Sequence, residues 1–136
     1  MADRPYALIV EDDPESRVIA DRIMKKTGFN AIFAVDGVEA LQQIATYRPR
    51  LVLLDLSMPR LDGWEVARRV RQHPEWDNIR LLAVTAHVAP GDRARALAAG
   101  CDDYLSKPYL PADLFAAVTR VLGLTSAVPE PGGTAK

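Results

Sequence analysis

Short apolar runs alternate with segments of helical hydrophobic spacing five times along this chain. Tyr6–Val10, Ala31–Val35, Leu51–Asp55, Arg80–Thr85 and Asp103–Ser106 read as strands. The intervening segments predict helices from Pro14 to about Thr27, then Gly37–Tyr47, Trp64–Gln72, Pro90–Ala99 and Pro111–Leu122. Punctuation supports these limits. Asp13-Pro14-Glu15 offers an N-cap, a proline in the first turn and an acid at the positive end of the helix dipole. Gly28 and Gly100 stand where two helices should stop.

Strands that alternate with helices imply right-handed βαβ crossovers and a parallel sheet covered on both faces. The first, third and fourth runs are the most apolar and are expected at the centre. The predicted architecture is α/β: a flavodoxin-like (βα)5, doubly wound, five-stranded parallel sheet of order 2-1-3-4-5. Its crevice should lie where strands one and three diverge. One domain is expected over residues 1–124. Residues 125–136 hold two prolines, a Gly-Gly pair and Val128 as their one large apolar residue, so a disordered tail is expected there.

Composition narrows the partners. The chain has 136 residues, 49% hydrophobic and 26% charged, enough for one packed core. The net charge is −1 and the basic residues are dispersed, so no nucleic-acid partner is expected. The single cysteine, Cys101, cannot form an internal disulfide, and the N-terminus lacks the apolar core of a signal peptide. No apolar stretch approaches the ~20 residues that span a bilayer. A cytoplasmic setting and no membrane association are therefore expected.

The polar residues that could do chemistry fall at strand ends. Glu11-Asp12-Asp13 follows the first strand, Asp55 ends the third, Thr85 ends the fourth, and Lys107-Pro108 follows the fifth. Asp55 opens onto Leu56-Ser57-Met58-Pro59 and Asp62-Gly63, which delivers its carboxylate to a rim. Crowded carboxylates repel one another and raise each other's pKa, and a divalent cation relieves that. Oxygen-only ligands suit Mg²⁺. The cation would also neutralise an incoming phosphoryl group, so a carboxylate could attack phosphorus and form an acyl phosphate. Lys107 supplies a point charge and Thr85 a hydroxyl.

The motifs V-E-D-D-P, L-L-D-L-S-M-P-R-L-D-G, V-T-A and Y-L-S-K-P, with the spacings from Asp55 to Thr85 and to Lys107, resemble the receiver domain of two-component response regulators. The likeness covers roughly residues 5–123 and is closest in kind to single-domain, chemotaxis-receiver-like regulators. It implies that Asp55 is the phosphoacceptor. Asp12 would bind Mg²⁺ directly, Glu11 would act through metal-bound water, and the Ser57 backbone carbonyl would complete the protein ligands. Thr85 and Lys107 would grip the phosphoryl group, and Tyr104 matches the aromatic switch. Ser57 and His87 match the positions that tune phosphoryl lifetime. The acidic pair is Glu-Asp rather than Asp-Asp, and Asp13 is assigned to capping.

The resemblance implies a phosphorelay protein charged by a histidine kinase or a histidine phosphotransfer protein. Its signalling chemistry would be limited to self-phosphorylation and autodephosphorylation, so it is not expected to be an enzyme in the turnover sense. Phosphorylation should shift the surface of the fourth helix, fifth strand and fifth helix. With no further domain pattern after Leu124, the output is expected to be binding to a downstream protein target. The Met start and Pro/Gly tail favour a complete small protein over a receiver module excised from a hybrid histidine kinase. An aspartyl-nucleophile phosphatase would usually carry an acid two residues after the nucleophile, where Ser57 stands. A flavin-binding flavodoxin would need a phosphate-cradling loop where Glu11-Asp12-Asp13 stands. Trp64 is expected to pack the third helix, His73 to face solvent, Cys101 to be buried, and Arg93 and Arg95 to lie on a solvated face.

Overall fold

The computed structural model describes residues 4–58, 60–86 and 89–123. His87 and the expected tail at 125–136 lie outside the described residues. Among the described residues the order is β1 (Tyr6–Val10), α1 (Pro14–Lys25), β2 (Asn30–Ala34), α2 (Gly37–Tyr47), β3 (Leu51–Leu54), α3 (Gly63–Arg71), β4 (Arg80–Thr85), α4 (Asp92–Ala99), β5 (Asp103–Ser106) and α5 (Pro111–Gly123). The strands form one parallel sheet of order β2-β1-β3-β4-β5, as the alternating pattern predicts. No described helix is long and apolar enough to cross a membrane.

Side-chain alternation splits the core in two. Leu8, Val10, Val52, Leu54, Leu81 and Ala83 point to the face covered by α2, α3 and α4. Ala7, Ile9, Leu51, Leu53, Leu82 and Val84 point to the face covered by α1 and α5. Every residue of β3 is buried, as a strand covered on both faces and paired on both edges must be.

The element ends differ from expectation for local reasons. Asp13 caps α1 by accepting from the Ser16 N–H at 2.9 Å, as its position predicts. α1 stops at Lys25, where the Thr27 hydroxyl and N–H both donate to the Met24 carbonyl. β2 starts at Asn30, which pairs with Tyr6, and stops before Val35, whose N–H donates to Glu39 Oε1 at 2.8 Å. α4 begins at Asp92 rather than Pro90, because Gly91 has φ +87, outside the helical region. A 3₁₀ turn at Pro74–Trp76, absent from the predicted elements, buries Trp76, with the His73 ring 4.2 Å away.

Helix faces needed the tertiary structure. In α1, Ile23 and Met24 are buried while Val18 and Ile19 are half exposed. In α2 the buried positions are Gly37, Ala40 and Ile44, and Val38 is exposed. In α5, Leu114, Ala117, Val118, Val121 and Leu122 are buried.

Helix α4 is held more by polar contacts than by apolar burial. Its buried residues are Asp92, Ala96 and Ala99, while Leu97, its largest apolar side chain, is 42% exposed. Arg95 is exposed, as expected, and also lays its guanidinium 4.0 Å from the centroid of the buried Trp64 ring on α3. Arg71 of α3 donates from Nε to the Gly100 carbonyl at 3.0 Å and from Nη2 to Asp102 Oδ2 at 3.0 Å. Asp103 is buried beneath two arginines: Arg93 Nη2 lies 3.0 Å and Arg120 Nη2 2.8 Å from its carboxylate. Burial alone would raise the Asp103 pKa. The Tyr104 N–H and the two guanidinium groups outweigh it and hold the pKa below the ordinary value of 3.8.

Two outcomes follow from this packing. Leu114→Ala should cost about 2–5 kcal/mol of stability, whereas Leu97→Ala should cost about 0.5 kcal/mol; urea unfolding of both variants measures the contrast. The depressed pKa of Asp103 contributes stability that is present above its unfolded value and lost as pH falls through its folded value. Asp103→Asn should therefore be less stable than wild type at neutral pH, with a gap that closes as the pH is taken below about 4; urea midpoints across that range test it.

Candidate phosphoacceptor and metal site

Three backbone hydrogen bonds carry the parallel ladder one residue beyond its strands. The Glu11 N–H donates to the Ala34 carbonyl at 2.9 Å, Asp55 to Val10 at 3.1 Å, and Lys107 to Thr85 at 2.9 Å. Each donor is a residue with candidate chemistry, so the sheet itself places Glu11, Asp55 and Lys107 along its carboxyl edge. The Lys107–Pro108 peptide bond is cis.

Carboxylate oxygens of Glu11, Asp12 and Asp55 lie within 4.8 Å of one another. Glu11 and Asp55 are buried, and Asp12 is exposed. Lys107 Nζ reaches Glu11 Oε1 at 2.5 Å and Asp55 Oδ2 at 3.4 Å. Desolvation is the largest influence on Glu11 and, with repulsion from Asp55, pushes its pKa above the ordinary value despite the Lys107 hydrogen bond. Burial would lower the Lys107 pKa, but its contacts with Glu11 and Asp55 outweigh burial and raise it, so the ammonium is held charged. A cavity of about 10 Å³, room for one water, lies between Glu11, Asp55 and Lys107 and the apolar Ile9, Leu53 and Val84.

The remaining predicted residues fall around this cluster. Thr85 is fully buried at the end of β4, in register with Ser106, next to Lys107 in the chain. Ser57 is exposed, and its N–H donates to Asp55 Oδ1 at 3.0 Å. Tyr104 is half-buried on β5 and packs against the α2–α3–α4 core; burial, then the nearby Asp92 carboxylate, raises its phenol pKa. His87 lies outside the described residues.

Two contributors, Tyr109 and Arg17, are not marked by the strand-end pattern. Tyr109 lines the small cavity, and burial raises its pKa. Its nearness to Lys107 in the chain was the available signal. Arg17 Nη1 donates to the Glu11 carbonyl at 2.9 Å from one turn into α1, a contact with no sequence signature.

The donor set fits a hard divalent cation. All three side chains offer oxygen, a charge deficit exists among them, and exposed Asp12 leaves the cluster open to water. A transition metal preferring nitrogen or sulfur would find no such donor among these three residues.

Comparisons agree with this geometry. A family model described as the response regulator receiver domain matches residues 7–119. The response regulator MprA of Mycobacterium sp. (strain KMS) is 42% identical over 119 residues, covering 88% of this chain and 51% of the relative. The chain thus spans about half the length of the curated relatives it matches. A crystal structure of the receiver domain of a sensor histidine kinase from Pseudomonas aeruginosa, with a magnesium ion coordinated in its active site cleft, aligns with a TM-score of 0.80 at 30% identity; the match covers 89% of this chain and 99% of that one. Vibrio cholerae chemotaxis protein CheY4 aligns at a TM-score of 0.81 and 27% identity, covering 88% and 100%. With an acidic cluster at the carboxyl edge of a 2-1-3-4-5 sheet and a family match over most of its length, the chain belongs to the response regulator receiver domains, the phosphoacceptor modules of two-component signalling.

Proposed function

We propose that this receiver accepts a phosphoryl group on Asp55 from a phosphohistidine of a histidine kinase or histidine phosphotransfer protein. The observation that carries the residue assignment is the Lys107 ammonium lodged between the Glu11 and Asp55 carboxylates, beside Asp12. An Asp55 carboxylate oxygen attacks phosphorus. The phosphorus–nitrogen bond of the donor breaks, and the imidazole leaves with the electron pair. Asp55 is set up as the attacking group because its backbone is pinned to β1 and one of its oxygens is oriented by the Ser57 N–H. Lys107 holds the carboxylate before transfer and a phosphoryl oxygen after it, and the Thr85 hydroxyl donates to a second phosphoryl oxygen.

Asp12, Asp55 and the Ser57 carbonyl would hold Mg²⁺, with Glu11 acting through a bound water. When bound, the cation supplies charge neutralisation for the phosphoryl oxygens. The magnesium ion in the cleft of the Pseudomonas aeruginosa receiver supports that choice of metal. Recruitment of Thr85 draws Tyr104 toward it and shifts α4, β5 and α5. The weak apolar anchoring of α4 makes that shift inexpensive. The altered surface then controls binding to a downstream protein in the cytoplasm, and Ser57 and His87 set the phosphoryl lifetime. Residues 1–124 form the receiver unit.

Incubation with acetyl phosphate and Mg²⁺ should add one phosphoryl group, ~80 Da by intact mass. Asp55→Asn, or chelation of the metal, should abolish the gain; a gain that survives Asp55→Asn sinks the assignment. Beryllofluoride with Mg²⁺ should change amide exchange across residues 89–107 relative to residues 6–10 of the central sheet. Unchanged exchange there would remove the output surface from the reading.

A further inference from the structure

The loop after Asp55 is clamped between two glycines, and the second clamp comes from a different helix. A Cβ added to Gly63 would lie 2.5 Å from the Asp55 carbonyl oxygen and 2.7 Å from Leu56 Cα. A Cβ added to Gly37, the first residue of α2, would lie 2.0 Å from the Leu61 carbonyl oxygen and 2.8 Å from its carbonyl carbon. Both neighbours are backbone, so neither can move aside without moving the loop. The residue before Gly37 strengthens the contact. Asp36 is buried, caps α2 by accepting from the Glu39 N–H at 2.8 Å, and pairs with Arg60 Nη1 at 3.6 Å. Arg60 occupies the left-handed region at φ +68, which few non-glycine residues do. The loop that carries Ser57 is therefore seated on the N-terminus of α2.

We propose that Gly37 and Arg60 are positioning residues for the metal site: the α2 terminus holds residues 56–58 and 60–62 so that the Ser57 carbonyl stays where a cation held by Asp12 and Asp55 can use it. Neither residue touches the cation. Both act through the backbone of the loop, in the way that groups behind metal ligands set affinity by fixing ligand orientation. The inference rests on the metal reading given above and assigns a role to a segment that carries none of the site's own side chains.

Electrostatics separates this role from simple charge effects. Arg60 is cationic, so its removal should by itself strengthen binding of a nearby cation. If Arg60 acts by positioning, its removal should weaken binding instead.

The test is a Mg²⁺ titration followed by amide NMR, together with amide exchange of the metal-free protein. Gly37→Ala should weaken Mg²⁺ affinity about tenfold and speed exchange across residues 56–58 and 60–62. Arg60→Gln, an exposed change that leaves the core untouched, should weaken it about threefold, and Arg60→Lys should bind as wild type does. Ile44→Val, a core change on the same helix, controls for general loosening of α2 and should leave Mg²⁺ affinity unchanged. Wild-type affinity in Gly37→Ala, or unchanged or tighter binding in Arg60→Gln, overturns the proposal while leaving the metal site standing. Should Gly37→Ala fail to fold, the Arg60 pair decides alone. Absence of saturable Mg²⁺ binding in wild type overturns both readings, a result distinct from the first.

Discussion

Parallel pairing of β3 between β1 and β4 is the constraint on which the rest of this molecule depends. Parallel strands point their carboxyl ends the same way, so the residues that leave them collect on one edge. The ladder continues past Val10, Leu54 and Thr85–Ser106 by one hydrogen bond each, which turns Glu11, Asp55 and Lys107 from loop residues into fixtures of the sheet. Side chains from three strands distant in sequence then meet at contact distance with little freedom left in their backbones. Such rigidity is what a phosphoryl-transfer site needs, because its chemistry relies on placement and charge rather than on elaborate covalent steps.

That placement has an electrostatic cost. Burial and repulsion from Asp55 both act against an ionised Glu11, and its pKa rises. Lys107 offsets part of this by sitting against both carboxylates, with its own charge reinforced in return. One ammonium against three carboxylates leaves the cluster short of positive charge. The same imbalance explains why the site suits a divalent cation and why a phosphoryl group arriving without one would be repelled. Lys107 links this balance to the far side of the sheet, because β5 ends immediately before it and Asp103, Tyr104 and the arginine contacts of α4 and α5 lie on that strand.

The centre of the sheet and its β5 end are secured differently. β1 and β3 are buried under large aliphatic side chains, whereas α4 is tied to its neighbours by Arg95 over Trp64, Arg71 on Gly100 and Asp102, and Asp103 beneath Arg93 and Arg120. Polar ties of this kind are directional and can be exchanged singly, whereas a close-packed aliphatic contact resists displacement until a cavity is paid for. A rigid chemical centre beside a polar-tethered helix is a workable arrangement for converting a local charge change into a surface change.

Much of this was legible in the residues. The alternation of apolar runs and helical spacing is local physics, since side-chain periods of two and of about 3.6 follow from backbone geometry. Handedness and burial rules then leave few ways to order five such units. Asp13 before Pro14 predicts its own cap, and Asp55, Thr85 and Lys107 announce themselves by standing where apolar strands end. The closeness of Glu11 to Lys107, 96 positions apart, was expected from topology, but its hydrogen bond and the raised Glu11 pKa come only from packing. Helical spacing alone does not tell exposed Val18, Ile19 and Val38 from buried Ile23, Met24 and Ile44, because which part of an apolar stripe is covered depends on how closely each helix approaches the sheet. The stacking of Arg95 on Trp64 and the seating of Leu61 on Gly37 leave no trace in local spacing either. Both arise where elements far apart in the chain are brought within van der Waals reach, and contacts of that kind are decided by tertiary structure alone.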